Sequence, residues 1–263
     1  LATALAAARA GVPVHYVALE LSGEEVYARL LALALAMREG ANVRVPWSDI
    51  YRGHDPHADE HFTDPGESLD DLPLTVEVAP PSGWSADRLT GIATGPDAPK
   101  LIVIDFLQLL AAKKGEEPGA AMSRVAYAAR GVARDHDCTV LALSSTARAN
   151  YAATNSTDKE TGKGGEGDPA RFVGLGKNSG DIEFAADGVL VLVTEGEFEP
   201  RLGKRVHVAV AKNRGGAAAW CDPMRFDGCS FTPEVASSRE AGPSPGGERN
   251  KPSKAPKGAQ EKP

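Results

Sequence analysis

Apolar runs in this sequence repeatedly end in polar groups. Glu20 follows Val17-Ala18-Leu19, and Asp105 follows LIVI (101–104). Ser144 and Ser145 follow TVLAL (139–143), and Lys212 with Arg214 follows VHVAVA (206–211). If these runs are strands of one open α/β sheet, their ends meet where such sheets bind ligands. An acid for a metal ion, a second acid to activate water, a polar sensor and a pair of cations are what phosphoryl transfer requires. Strand-end carboxylates also serve as ordinary helix caps, so spacing alone leaves that reading open.

The elements that must position these groups are legible in outline. LIVID (101–105) is apolar at every position up to its aspartate, the pattern of a strand buried on both faces in a parallel sheet. Residues 1–10 are Ala-rich and helical by propensity, closed by Gly11 with Pro13 beyond. Residues 14–21 read as a strand, and Ser22-Gly23-Glu24-Glu25 has capping-box spacing for the next helix, with Val26, Leu30, Leu33, Ala34 and Met37 as its stripe and Gly40 as its stop. Strands are expected at 73–78, 139–143, 188–193, 206–211 and 224–226, with helices at 84–93, 122–135 and 181–186. Residues 41–72 and 149–180 read as loops, the second long enough to imply function or disorder. Strand and helix alternate and then the strands bunch, which argues an α/β fold, parallel in the middle, with a C-terminal antiparallel extension.

Composition bounds the rest. The 263 residues and 42% hydrophobic content allow one sizeable core, assigned to residues 1–235, with a Pro/Ser/Lys-rich tail (236–263) expected to be disordered. A net charge of −7 gives no global basic footprint, so nucleic-acid contact must come from a local patch or an assembled pore. Three cysteines, odd in number and without metal spacing, suggest a reducing compartment. No stretch is uniform enough to span a membrane. His54, His57 and His61 invite a metal reading, but Pro56 and the absence of a rigid frame favour a solvated loop. The sequence opens in mid-helix without Met and is expected to be a fragment.

Six pieces in order resemble the C-terminal, RecA-like ATPase domain of the DnaB-type replicative helicases: VALELSGEE (17–25), LIVIDFLQLL (101–110), VLALSSTAR (140–148), GKNSGDIEFAADGVLVL (176–192), VAVAKNRGG (208–216) and MRFDG (224–228). The resemblance implies a P-loop ATPase core using ATP and Mg²⁺, in a cytoplasmic, hexameric ring on single-stranded DNA, with primase or a loader as replication partners. Residue by residue it implies that Glu20 polarises the attacking water and Asp105 holds Mg²⁺. Ser145 stands at the phosphate-sensor position, where the family usually has Gln and serine is too short to reach. Lys212 and Arg214 would be offered to the neighbouring subunit's nucleotide. Lys177, Asn178 and Gly180 would line the central channel, with Gln108 and Arg148 on the DNA side. The bland counterparts are a strand-end acid, a solvated basic turn and a glycine hinge. GxxxxGK[ST], the loop that wraps phosphates, is absent: in GLGKNS (174–179) Asn178 follows the lysine, and TGKGG (161–165) fails too. The family carries that loop directly before the helix that opens this chain, so its loss with the N-terminus is expected. A plasmid or phage ATPase of this fold, or a catalytically inactive assembly partner, are the alternatives.

Overall fold

The structure, a computed structural model, describes residues 1–37, 44–54, 68–80, 83–95, 97–110, 116–145, 167–174, 180–199 and 203–233. Helix α1 (Ala2–Arg9) leads through Gly11, at φ +79°, into β1 (Val14–Ala18). Helix α2 (Gly23–Ala36) opens on a complete capping box: the Ser22 hydroxyl accepts from the Glu25 N–H at 3.2 Å, and the Glu25 carboxylate from the Ser22 N–H at 3.1 Å. Val26, Leu30 and Leu33 of the expected stripe are buried, whereas Met37 is exposed and caps the helix; Gly40 lies outside the described residues.

Where a loop is expected, the chain forms α3 (Trp47–Arg52) and a 3-10 turn at Leu69–Asp71. The reason for α3 is tertiary. The Arg29 guanidinium of α2 lies 3.9 Å from the Trp47 ring centre, and Trp47 meets Tyr51 one turn on at 6.3 Å. So short a helix has too few apolar positions to show a period in sequence.

Next come β2 (Leu74–Val78), α4 (Arg88–Ala93), β3 (Leu101–Asp105), α5 (Pro118–Asp135) and β4 (Thr139–Ala142). The four strands form one sheet in the order β2-β1-β3-β4, every pair parallel. Alternation along β3 divides its side chains between two cores. Leu101 and Val103 pack with Leu5 of α1 and Leu30 of α2, and Ile102 and Ile104 pack with Leu89 of α4 and Val125 of α5. On the latter side Glu77 joins the elements: its carboxylate lies 3.0 Å from His15 Nε2, accepts the Trp84 indole N–H at 2.9 Å, and pairs with Arg88 at 2.6 Å. Trp84 is fully buried.

Helix α6 (Gly180–Ala185) precedes β5 (Gly188–Glu199), β6 (Gly203–Asn213), β7 (Ala219–Trp220), β8 (Met224–Phe226) and β9 (Phe231–Pro233). The expected antiparallel extension is a sheet of its own, ordered β5-β6-β8-β9 with β7 beside β6; among the described residues no ladder joins it to the parallel sheet. Its core is Phe172, Val193, Ala209 and Ala211. The β6 strand begins at Gly203, φ +72°, where a Cβ would lie 2.2 Å from the Phe226 carbonyl oxygen; only glycine fits there. Among the described residues no helix is long and apolar enough to cross a membrane.

Candidate functional site

Two neighbourhoods hold the residues that the sequence singles out. The first is the C-terminal edge of the parallel sheet. Ala18 stands opposite Asp105 in register, and the Leu19 N–H donates to the Asp105 carbonyl at 2.9 Å, so Glu20 emerges beside the Asp105 strand end. On the other side of β3 the Leu143 N–H donates to the Ile104 carbonyl and the Leu107 N–H to the Leu143 carbonyl, each at 2.9 Å. Backbone ladders therefore fix Glu20, Asp105 and Ser144-Ser145 on one edge. Glu20 is exposed, whereas Asp105 is half-buried.

Gln108, in the 3-10 turn after β3 (Leu107–Leu109), binds across this edge. Its amide N–H donates to the Ser144 hydroxyl at 2.7 Å and its carbonyl accepts the Ser145 N–H at 3.1 Å. The side chain thus clamps the turn after β4, a role that its place in sequence did not reveal.

A further residue at this edge escaped the sequence reading. Tyr16 of β1 is wholly buried, and its hydroxyl donates to Oδ2 of Asp105. Burial, and then the hydrogen bond to Asp105, push its phenol far above the ordinary range. The one signal available was a hydroxyl in a strand otherwise set in an apolar core.

The second neighbourhood is the turn after β6. Lys212 Nζ donates to the carbonyls of Glu183 at 2.5 Å and Ala186 at 2.9 Å, capping the C-terminal end of α6. Arg214 pairs with Asp187 at 2.5 Å, and its N–H donates to the Asp187 carbonyl at 2.8 Å. That ion pair is open to solvent, with side chains 47% and 67% exposed. Neither cation bonds to the carboxylate edge in this single chain. Gly180 is the first residue of α6. Lys177, Asn178, Arg148, His57 and His61 lie outside the described residues, and His54 is exposed. Among the described residues no group of three or more His, Cys, Asp or Glu side chains could hold a metal ion by itself.

The carboxylate edge offers hard oxygen donors. Asp105 has one oxygen engaged by Tyr16, while its Oδ1 accepts no hydrogen bond among the described residues. One or two carboxylates completed by water and phosphate oxygens are the usual protein share of a Mg²⁺ site, and the edge fits that pattern.

Two solved structures resemble this fold. A DnaB-like replicative helicase, solved in a study of its interactions with primase, superposes with a TM-score of 0.64 at 20% identity, over 86% of this chain and 51% of that one. The ATPase domain of G40P superposes with a TM-score of 0.67 at 20% identity, over 88% of this chain and 78% of that one. The chain thus spans about half the length of the first of these proteins. At such identities the likeness shows the fold alone. No match is found among curated protein sequences. The family model of the DnaB-like helicase C terminal domain, however, matches residues 1–228, most of the sequence, and the chain belongs to that family.

Proposed function

We propose that this chain is the motor domain of a replicative DNA helicase that hydrolyses ATP at the interfaces of a hexameric ring and moves along single-stranded DNA. The observation that carries the reading is the convergence of Glu20, Asp105 and the Gln108–Ser144–Ser145 network on one edge of a parallel sheet. Asp105 would hold Mg²⁺ through its water shell, and a bound ion would supply neutralisation of charge on the phosphates. Glu20, exposed beside it, orients the attacking water and takes its proton. Ser145 occupies the sensor position with a shorter reach than the usual glutamine. Lys212 and Arg214 serve the nucleotide of the adjacent subunit, which accords with side chains that among the described residues bond to α6 and Ala186-Asp187 and not to the carboxylate edge. Lys177, Asn178, Gly180 and Arg148 contact the DNA, and primase or a loader is the replication partner. The protein works in the cytoplasm.

The test is DNA-stimulated ATP hydrolysis and strand displacement by the full-length protein, compared with its Glu20→Gln and Asp105→Asn variants. Both variants should lose turnover, and Asp105→Asn should also lose metal-dependent nucleotide binding. The 263-residue chain by itself should not turn over ATP, because each missing oxyanion-type donor costs about 2.7–4 kcal/mol. A second reading, an inactive assembly partner, is favoured by Ser145 and by the absence of GxxxxGK[ST] from the sequence. It gains if full-length protein joins rings yet hydrolyses nothing.

A further inference from the structure

The core between the parallel sheet and helices α1 and α2 takes Val14, Ala18 and Val103 from the strands and Leu5, Val26 and Leu30 from the helices, all apolar. Tyr16 lies in the middle of them with no solvent exposure. A phenylalanine would fill nearly the same volume without burying a hydroxyl, and a buried hydroxyl is costly unless bonded. Its bond is to Oδ2 of Asp105. The register explains how: Tyr16 stands opposite Val103, and Ala18, two residues on, stands opposite Asp105, so the two side chains share a face. The Tyr16 hydroxyl therefore reaches Asp105 diagonally across the strand pair, and the residue directly opposite Asp105, Ala18, is small. We infer that Tyr16 is a positioning residue for the metal-holding carboxylate, an inference that rests on the proposed role of Asp105.

The hydrogen bond fixes one carboxylate oxygen against the core and thereby the plane of the carboxylate. It leaves Oδ1, which accepts no hydrogen bond among the described residues, as the oxygen to face an ion's water shell. A carboxylate bonded to nothing behind it would turn about its terminal torsion and pay for orientation each time the ion binds. Partners that orient metal-binding side chains in this way typically account for 10–100-fold in metal affinity. Tyr16 touches neither ion nor nucleotide in this account; it acts through Asp105.

The test measures Mn²⁺, as a spectroscopic substitute for Mg²⁺, binding to full-length protein with a non-hydrolysable ATP analogue, read from the resonance of free Mn²⁺. Tyr16→Phe should weaken Mn²⁺ about tenfold while analogue binding in the presence of a chelator stays unchanged. In an Asp105→Asn background the same substitution should have no further effect, because the carboxylate it orients is gone. Tyr16→Phe protein that is folded by circular dichroism and binds Mn²⁺ as the wild type does would overturn the inference while leaving Asp105 in place. Asp105→Asn with wild-type Mn²⁺ binding would overturn the site reading and this inference with it. Should Tyr16→Phe fail to fold, wild-type protein labelled at the tyrosine ζ carbon decides. The Tyr16 signal should shift when Mg²⁺ is added to the analogue complex and stay put in Asp105→Asn; a signal indifferent to Mg²⁺ in the wild type overturns the inference.

Discussion

The carboxylate edge and the cationic turn are held by different means. Glu20, Asp105 and Ser144-Ser145 are set by main-chain ladders between adjacent strands, with Tyr16 of β1 and Gln108 of the turn after β3 adding side-chain bonds. The side chains of Lys212 and Arg214 reach to α6 and the two residues after it, Ala186 and Asp187. The edge is thus complete in orientation within one chain. The turn is divided: Lys212 is part-buried and bonded to carbonyls, whereas among the described residues the Arg214 side chain is held only by an exposed ion pair, of a kind worth about 0–1 kcal/mol. An arginine held that weakly can be given up to a stronger anion, and a phosphate on a neighbouring subunit is one.

Arg214→Ala offers the widest break in this contrast. Turnover by the full-length ring should fall roughly 10³–10⁵-fold, the range for an arginine supplied in trans, while thermal stability barely moves. Mixing it with Glu20→Gln should restore activity, since some interfaces then carry both intact groups. Mixed rings that exchange labelled subunits and remain inactive would place Arg214 in its own chain's chemistry or outside chemistry altogether.

Glu20→Gln comes next. Loss of a general base costs about 10²–10⁴-fold, and Mg·ATP binding, followed by a fluorescent analogue, should stay within a few-fold of wild type. Near-normal turnover would reduce Glu20 to a strand-end acid.

Lys212→Met sharpens the division inside the turn. Removing a charged donor from the Glu183 and Ala186 carbonyls should cost about 1.5–3 kcal/mol in denaturant unfolding, with hydrogen exchange rising first in α6. If stability is unchanged but turnover drops, Lys212 belongs functionally with Arg214 rather than with the fold.

The smallest effect is expected of Gln108→Ala. It loses the bonds to Ser144 and Ser145, each worth about 1 kcal/mol net, and should loosen the turn after β4 as seen in amide exchange at Ser145. A loss of single-strand affinity without any change at Ser145 would instead favour direct DNA contact by Gln108.

How far the sequence foretold these regions depends on the range of the interactions involved. Residues 101–105 announce themselves because burial on both faces leaves no polar position before Asp105, and the Ser22–Glu25 box is written within four consecutive residues. The partners of Lys212 are residues 183 and 186, which reach it only after β5 and β6 have paired, so spacing cannot show them. Tyr16 escaped for a related reason. In a strand core a tyrosine looks like any other large side chain until its register against Asp105 is known. Helix α3 was missed because Arg29 and Trp47 meet through tertiary packing across a polar stretch.

Gly203 has a bearing on how this protein can vary over time. Any side chain there must displace the Phe226 carbonyl, at the start of the strand whose far end bears Lys212 and Arg214. A lineage could exchange surface residues along β6 freely and still be unable to alter this position without re-registering the strand. Saturation mutagenesis scored by growth should therefore find Gly203 as intolerant as Arg214. The two would differ in kind: second-site changes around Phe226 could relieve a substitution at the glycine, and none could supply a missing guanidinium.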